Sequence, residues 1–135
     1  MMRVVVDTNL FVTSFFGGSP RMIIEWWKLG RLTLCLTGAI LDEYIDVLMR
    51  LGLSGTKDLD DLLLLFRKGF NAVFIAQTPS LSVCDDPDDN KFIEAAVALE
   101  AEWIVSGDLH LKKIKRYGGI AIRSPKEFIE RSQSV

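Results

Sequence analysis

The chain has 135 residues, of which 49% are hydrophobic and 25% are charged, a balance typical of one globular domain. Eighteen acidic residues against sixteen basic ones give a net charge of −2, which argues against binding nucleic acid by bulk positive charge alone. The single histidine, His110, excludes a zinc site built from several histidines, and two cysteines are too few for a disulfide scaffold. We expect one domain over residues 1–135.

The apolar runs are too short for a membrane or secreted protein. Residues 4–6 cannot supply the apolar segment of a signal peptide and lead directly to Asp7. The longest apolar run, 62–66, is far shorter than the ~20 residues of a membrane span. Cys35 and Cys84 lie among apolar residues, as expected for buried free thiols. We expect a soluble, cytoplasmic protein with no membrane partner.

The first half of the chain alternates β-forming runs with amphipathic stretches. Its first run is apolar on both faces, which predicts a buried strand. Caps and glycines mark the helix ends. The predicted elements are a strand at 3–6, a helix from Ser19 and Pro20 to about Gly30, a strand at 32–36, a helix at 38–51 capped by Thr37, and a helix at 59–68.

The second half continues the alternation. Its predicted elements are a strand at 72–75, a helix opened by Asp86 and Pro87, a strand at 103–105, a short helix at 109–116, a strand at 120–122 and a terminal helix from Ser124 and Pro125. Strands that alternate with helices indicate a parallel sheet covered on both faces. The predicted fold class is α/β, a three-layer α/β/α sandwich with a central parallel sheet.

Acidic residues follow two of the predicted strands. Asp7 comes directly after 3–6, and Asp108 comes soon after 103–105. In an open parallel sheet the carboxyl ends of the strands line the ligand crevice, so we expect both carboxylates to point into one cleft. The chain lacks a glycine-rich dinucleotide turn, a correctly spaced phosphate loop, and HExxH and GxSxG motifs.

Glu43 lies on the predicted helix at 38–51. On a helical wheel the apolar residues form one broad face, and Asp42 and Asp46 lie opposite it. Glu43 falls at the edge of the apolar face, which suits either a surface group or a carboxylate aimed into a crevice beside the core. The helix pattern alone favours the surface position.

The densest acidic stretch is 85–90. Helix capping by Asp86 and favourable interaction of Asp88 and Asp89 with the helix dipole explain several of these acids without catalysis. The wheel places Asp89 slightly closer than Asp88 to the apolar face, by a margin that does not decide between them.

Four acids therefore form a candidate cluster: Asp7, Glu43, Asp89 and Asp108. Carboxylates at close range cannot all stay ionised unless a cation joins them. Oxygen ligands without histidine or cysteine suit a hard ion, Mg²⁺ or Mn²⁺. Such an ion can clamp a phosphodiester and activate water, so the cluster favours phosphodiester hydrolysis.

The order of these segments resembles a PIN domain. Val4-Val5-Val6-Asp7-Thr8-Asn9 opens the pattern, the acidic run continues into Lys91 and Phe92, and Ile104-Val105-Ser106-Gly107-Asp108 closes it. The resemblance covers about residues 3–128 and is greatest to stand-alone prokaryotic members described as toxins of toxin–antitoxin systems. It implies a metal-dependent ribonuclease whose acids converge at the carboxyl edge of a parallel sheet.

The resemblance also implies site residues in this chain. The matched acids are Asp7, Glu43, Asp89 and Asp108, and the matched supporting polar residues are Thr8, Asn9 and Ser106. Asp89 is preferred to Asp88 because it lies seven residues before Ala96, which matches the family's acid-to-alanine helix pattern. Asn90 departs from that pattern, and it either tunes the site or starts the helix.

Basic residues after Asp108 are candidate contacts for RNA phosphates. They are Lys112, Lys113, Lys115 and Arg116. A solvated helix face explains each of them equally well, and Lys91 and Arg21 are weaker candidates near the predicted cleft mouth. We do not expect the adjacent residues Trp26 and Trp27 both to be fully buried in one monomer, which favours a homodimer or higher homo-oligomer.

The acidic cluster and the resemblance together predict an endoribonuclease that cleaves single-stranded RNA with Mg²⁺ or Mn²⁺. The resemblance implies the RNA substrate, a toxin role and an antitoxin protein as a partner. A non-catalytic PIN-like module that binds RNA or protein is the alternative. A phosphoacceptor switch is less favoured, since it needs a lysine directly after a late strand and Lys112 lies several residues beyond one.

Overall fold

A six-stranded sheet forms the centre of the fold. The structure, a computed structural model, describes residues 2–133, apart from the side chain of Gln133. The strands are β1 (Met2–Val6), β2 (Leu32–Thr37), β3 (Ala72–Ile75), β4 (Trp103–Val105), β5 (Arg116–Tyr117) and β6 (Ile120–Arg123). Their order is β3-β2-β1-β4-β6-β5, and all neighbours are parallel except β5 and β6.

Seven α-helices accompany the sheet within residues 2–133. They are α1 (Thr8–Thr13), α2 (Gly18–Lys28), α3 (Gly38–Arg50), α4 (Lys57–Lys68), α5 (Asn90–Ala98), α6 (Leu109–Lys112) and α7 (Pro125–Gln133). Val4, Val5 and Val6 are all completely buried, although consecutive strand residues point to opposite faces. Both faces of β1 are therefore covered, and the predicted α/β fold is confirmed. None of the helices in the described part of the chain is long and apolar enough to cross a membrane.

The order of the strands creates a crevice between β1 and β4. From β1 the chain adds β2 and then β3 on one side, and it returns to add β4 on the other side of β1. The connection that follows β1 therefore runs to one side of the sheet, and the connection that follows β4 runs to the other side. Ligands of open α/β sheets bind at the carboxyl ends of such a strand pair. The backbone N–H of Asp7 donates to the carbonyl oxygen of Val105 at 3.1 Å, which keeps the two strand ends together.

Tyr44 fixes α3 against the end of β1. Its ring is fully buried and stacks on Phe11 of α1, with ring centroids 4.0 Å apart. Its hydroxyl donates a hydrogen bond to the carbonyl oxygen of Val6. Because Glu43 precedes Tyr44 on the same helix, this contact brings the Glu43 side chain to the carboxyl end of β1.

The sequence patterns missed α1. Its apolar run, 10–12, has no helical periodicity of its own, and the helix has only six residues. It forms because the Asp7 side chain accepts from the backbone N–H of Leu10 and caps the first turn. The helix thus starts directly after β1, without an intervening loop.

The helix predicted at 109–116 is wrong in its second half. The structure ends α6 at Lys112, and Arg116 and Tyr117 form β5 instead. Gly118 and Gly119 join β5 to β6, and Gly118 has a φ of 57°. A glycine pair supplies the positive φ that tight hairpins need, so this pair favours an antiparallel hairpin.

The expectation for the two tryptophans is also wrong. Trp27 is completely buried, and only 9% of Trp26 is exposed. The indole N–H of Trp27 lies 3.1 Å from the carbonyl oxygens of both Phe70 and Asn71, whereas Trp26 packs against Phe128 of α7. The neighbours are buried against different parts of the same monomer, so they supply no argument for an oligomer. Helix α2 also begins earlier than predicted, at Gly18.

The Tyr44 hydroxyl bond predicts a measurable loss of stability. Tyr44→Phe keeps the stacked ring and removes only the bond to Val6, so we expect the free energy of unfolding to fall by about 1–2 kcal/mol. Tyr117→Phe is the matched control, since no other described residue hydrogen-bonds the Tyr117 hydroxyl, and we expect a change within about 0.5 kcal/mol. Urea denaturation measures both, and equal losses in the two variants would contradict the assignment.

Candidate active site

A cleft of about 100 Å³ opens at the carboxyl ends of β1 and β4. Its lining residues are Asp7, Thr8, Asn9, Glu43, Val47, Asp89, Phe92 and Asp108. The structure thus brings all four predicted acids to one cleft, from four separate parts of the chain. Thr8 and Asn9 lie on its wall, and Ser106 lies beneath it, completely buried.

Asp7 is the most constrained acid of the cleft. Its Oδ1 accepts from the Leu10 N–H at 2.8 Å, and its Oδ2 accepts from the hydroxyl of Ser106. The same Ser106 oxygen accepts from the backbone N–H of Asp108 at 2.9 Å. Ser106 therefore links the acid after β1 to the acid after β4. Asp108 in turn caps α6 by accepting from the His110 N–H at 2.7 Å.

Burial raises the pKa of Asp7 to about 6, although the hydrogen bonds from Ser106 and Leu10 act in the opposite direction. The nearby carboxylates of Asp108 and Asp89 raise this pKa further. Asp7 is only 3% exposed, so water does little to stabilise its charge. The ionised form of Asp7 is therefore energetically unfavourable unless a cation binds beside it.

Glu43 lies in the cleft rather than on the outer surface that its helix pattern favoured. The edge of α3 that carries it packs beside α1, a helix that the sequence patterns did not predict. The Thr8 hydroxyl donates to Oε1 of Glu43, and the Lys91 ammonium donates to Oε2. Both oxygens of Glu43 are thus engaged by the protein itself.

Asp89 and Asp88 separate clearly in the structure. Asp86 caps a 3₁₀ turn at Pro87–Asp89 that leads into α5, and Asp88 points to solvent. Asp89 lines the cleft, and its Oδ2 is buried with no hydrogen-bond partner among the described residues. Burial, followed by the charges of Asp108 and Asp86, raises the pKa of Asp89 above its usual value.

Asn90 has a role that the sequence left open. It is buried at the start of α5, and its Oδ1 accepts from the backbone N–H groups of Val83 and Cys84, at 3.0 and 2.8 Å. These bonds anchor the segment that precedes the acidic run and so help to place Asp89. The signal available in the sequence was that Asn90 is a polar residue at a core-facing position of the helix start.

The predicted basic residues do not line the cleft. The ammonium of Lys113 pairs with exposed Asp85, and Lys112 lies at the end of α6. Arg21 lines a separate groove with Ser14 and Glu25. Lys91, a weaker candidate by sequence, is the lysine that contacts an acid of the cleft.

A PIN domain family model matches residues 3–110 of the chain. The chain belongs to the PIN domain family. The uncharacterized protein MJ1680 of Methanocaldococcus jannaschii is 28% identical to it over 141 aligned residues, which cover 96% of this chain and 90% of that protein. No solved structure matches the chain. PIN domains are generally nucleases, so membership supports a hydrolase that acts on nucleic acid.

PIN domains generally use divalent metal ions, and the donor chemistry of this cleft fits such an ion. Its acids offer only oxygen ligands, and one buried oxygen of Asp89 has no partner among the described residues. Within residues 2–133, however, no three acidic, histidine or cysteine side chains are already arranged as a metal site. The pair formed by Glu43 and Lys91 occupies one of the oxygens that a closed ligand set would use.

A second groove adjoins the acidic cleft of this PIN domain. It has a volume of about 280 Å³ and shares Asn9 and Asp108 with the cleft. Leu10, Pro20 and Pro125 supply apolar parts of its wall. The acidic cleft thus opens beside a wider, partly apolar surface.

The buried charge of Asp7 predicts a pH-dependent stability. The carboxyl has a higher pKa in the folded than in the unfolded chain, so folding favours its protonated form, and stability is lost as pH rises from about 4 to above 6. The loss is about 3 kcal/mol for the metal-free protein. Asp7→Asn removes this penalty, so the variant is expected to be more stable than the wild type at pH 7.5 and to lose the advantage at pH 4.

Urea denaturation in EDTA at the two pH values measures this effect. Asp42→Asn, at an exposed position of α3, is the matched control and is expected to keep the wild-type pH dependence. If Asp7→Asn and the wild type lost stability equally between pH 4 and 7.5, the assignment of the penalty to Asp7 would be wrong.

Proposed function

We propose that this PIN domain, over residues 1–135, is an endoribonuclease that hydrolyses phosphodiester bonds of single-stranded RNA with Mg²⁺ or Mn²⁺. The observation that carries the proposal is the convergence of four acids at the point where strand order reverses, with one buried carboxylate oxygen left without a partner in the described part of the chain. Structural capping explains Asp7 and Asp108 in part, but it does not explain why Asp89 and Glu43 face them.

In this proposal Asp7, Asp89 and Asp108 hold the ion, and Glu43 binds it or orients the attacking water. A bound divalent ion would offset the charge of the acids and the phosphodiester and would favour ionisation of water. Ser106 orients Asp7 through its hydroxyl, and Thr8 orients Glu43 in the same way. These two hydroxyls keep the acids in fixed rotamers, which lowers the cost of assembling the site.

Single-stranded RNA suits the surface around the cleft. The adjoining groove shares Asn9 and Asp108 with the acids, and its apolar wall can accept an unpaired base beside the scissile phosphate. Exposed Asn9 can donate an amide hydrogen bond to the phosphate. Lys112 and Lys113 lie outside the cleft at the end of α6, where they would contact phosphates farther along the strand, Lys113 by giving up its pair with Asp85. The net charge of −2 is compatible with this substrate, because several acids serve the ion rather than face the RNA.

We also propose that the protein is a cytoplasmic toxin with a cognate antitoxin protein. PIN domains commonly occur in toxin–antitoxin systems, which supports this role.

The toxin role predicts growth arrest. Induced expression of the wild-type chain in a bacterial host is expected to stop growth, whereas Asp7→Asn expressed to the same level is expected to have no effect. Colony counts after induction measure the difference. Normal growth with the wild type, or arrest by both chains, would contradict a toxin that acts through its nuclease site.

The proposed mechanism predicts which acids matter for cleavage. Asp7→Asn and Asp89→Asn are each expected to lower the rate of RNA cleavage by about 100-fold or more, since each removes a charged ligand. Asp88→Asn, next to Asp89 but exposed, is the matched control and is expected to retain the wild-type rate. EDTA is expected to abolish cleavage, and added Mg²⁺ or Mn²⁺ to restore it.

Cleavage of a mixed-sequence, unstructured RNA followed by gel electrophoresis measures these rates. The pairing of Glu43 with Lys91 favours the alternative, a PIN-like module that binds RNA or protein without cutting. RNA binding without cleavage at any metal concentration would support that alternative. Full metal-dependent cleavage by Asp7→Asn would refute the proposed mechanism.

A further inference from the structure

The ion pair between Lys91 and Glu43 differs from the other ion pairs of the described residues. The two side chains are 18% and 33% exposed, whereas the side chains of the other pairs are 37–69% exposed. An ion pair sheltered from water is screened less and interacts more strongly than one on the surface. This pair also joins α5 to α3 directly at the wall of the acidic cleft.

Lys91 is held at this place by two contacts. It lies in the first turn of α5, two residues after Asp89, and its ammonium lies 5.5 Å from the ring centroid of Phe92. Phe92 is buried and lines the cleft. The carboxylate of Glu43 is the second group that the ammonium contacts.

Both carboxylate oxygens of Glu43 already have a partner within the protein. The Thr8 hydroxyl donates to Oε1 and the Lys91 ammonium to Oε2, so a further cation at Oε2 would meet the positive charge of Lys91. Asp89 differs, because its buried Oδ2 has no hydrogen-bond partner among the described residues. A lysine ammonium is thus the cation that the protein itself supplies to one wall of the acidic cleft.

We propose that Lys91 is a positioning residue that acts through Glu43: its ammonium competes with a divalent ion for Oε2 of Glu43, so that the ion binds there only when the pair opens. Lys91 thereby sets the ion concentration at which the cleft fills. This inference rests on the proposed function, because it concerns the same site, but it can be tested without RNA.

Competition has a definite consequence for affinity. An ammonium at Oε2 repels a divalent ion that approaches the same oxygen and already neutralises the carboxylate charge that would attract the ion, so ion binding there has to weaken or break the existing pair. Removing the ammonium frees Oε2 and makes the cleft more negative, and both changes favour the ion. We expect a variant without the lysine charge to bind the ion about ten-fold more tightly, a change of about 1.4 kcal/mol.

Titration of the metal-free protein with Mn²⁺ alone, followed by calorimetry, measures this affinity. Lys91→Met keeps an unbranched side chain and removes the charge, and Lys91→Gln is a second variant of the same kind should the first fold poorly. Both are expected to lower the Kd for Mn²⁺ about ten-fold. Lys28→Met breaks the exposed pair with Glu25 and is the matched control, with an expected Kd within about two-fold of the wild type.

A double-mutant cycle separates competition at Glu43 from a general effect of charge. In a Glu43→Gln background the lysine has no carboxylate to pair with and only the effect of its charge on the cleft is left, so Lys91→Met is expected to lower the Kd by clearly less than the ten-fold expected when Glu43 is present. An unchanged Kd in the single lysine variants would overturn the proposal. An equal gain with and without the Glu43 carboxylate would overturn it too, because the lysine would then act only through its field.

The Mn²⁺ titration also distinguishes failure of this inference from failure of the proposed function. If the lysine variants bind Mn²⁺ more tightly while no form of the protein cuts RNA, the competition stands and the nuclease proposal fails. If RNA is cut but the lysine variants bind Mn²⁺ as the wild type does, the nuclease proposal stands and the role of Lys91 fails.

Discussion

The buried carboxylate of Asp7 is the constraint on which the site depends. It stands where β1 ends and α1 begins, beside the end of β4, and it accepts hydrogen bonds from Leu10 and Ser106. One bond starts a helix, and the other ties the two strands whose opposite connections create the crevice. The same burial raises the pKa of Asp7 to about 6, so the group that organises the backbone also carries a charge that the fold does not fully stabilise. The buried position of the Asp7 carboxylate thus explains both the local backbone arrangement and the raised pKa.

The other acids of the cleft add negative charge, and the fold compensates for this charge to a different degree at each of them. Glu43 is neutralised internally by Lys91 and oriented by Thr8. Asp89 keeps a buried oxygen without a partner among the described residues, which is costly unless a cation supplies one. The net charge of −2 is therefore a poor guide to the kind of partner that the protein binds. The distribution of the acids matters more than their number.

The sequence predicted the sheet well because its strands are continuous apolar runs, and the acids at strand ends followed from the topology of parallel sheets. It could not predict α1 or the hairpin of β5 and β6, because a six-residue helix and a two-residue strand carry too little periodicity. These omissions had consequences. Without α1, the helical wheel placed Glu43 at the surface. The burial of both tryptophans was missed for a different reason, since it depends on partners distant in sequence, at Phe70 and Phe128. The choice of Asp89 over Asp88 came from the resemblance to PIN domains, since the helix pattern alone did not decide it.

A crystal structure grown with Mn²⁺ tests the central claim most directly, because anomalous scattering locates the ion independently of any activity assay. The account predicts a peak in the cleft within coordination distance of Asp7, Asp89 and Asp108, with the Lys91 ammonium displaced from Glu43. A cleft without a peak, with Lys91 still paired to Glu43 at saturating Mn²⁺, would contradict it.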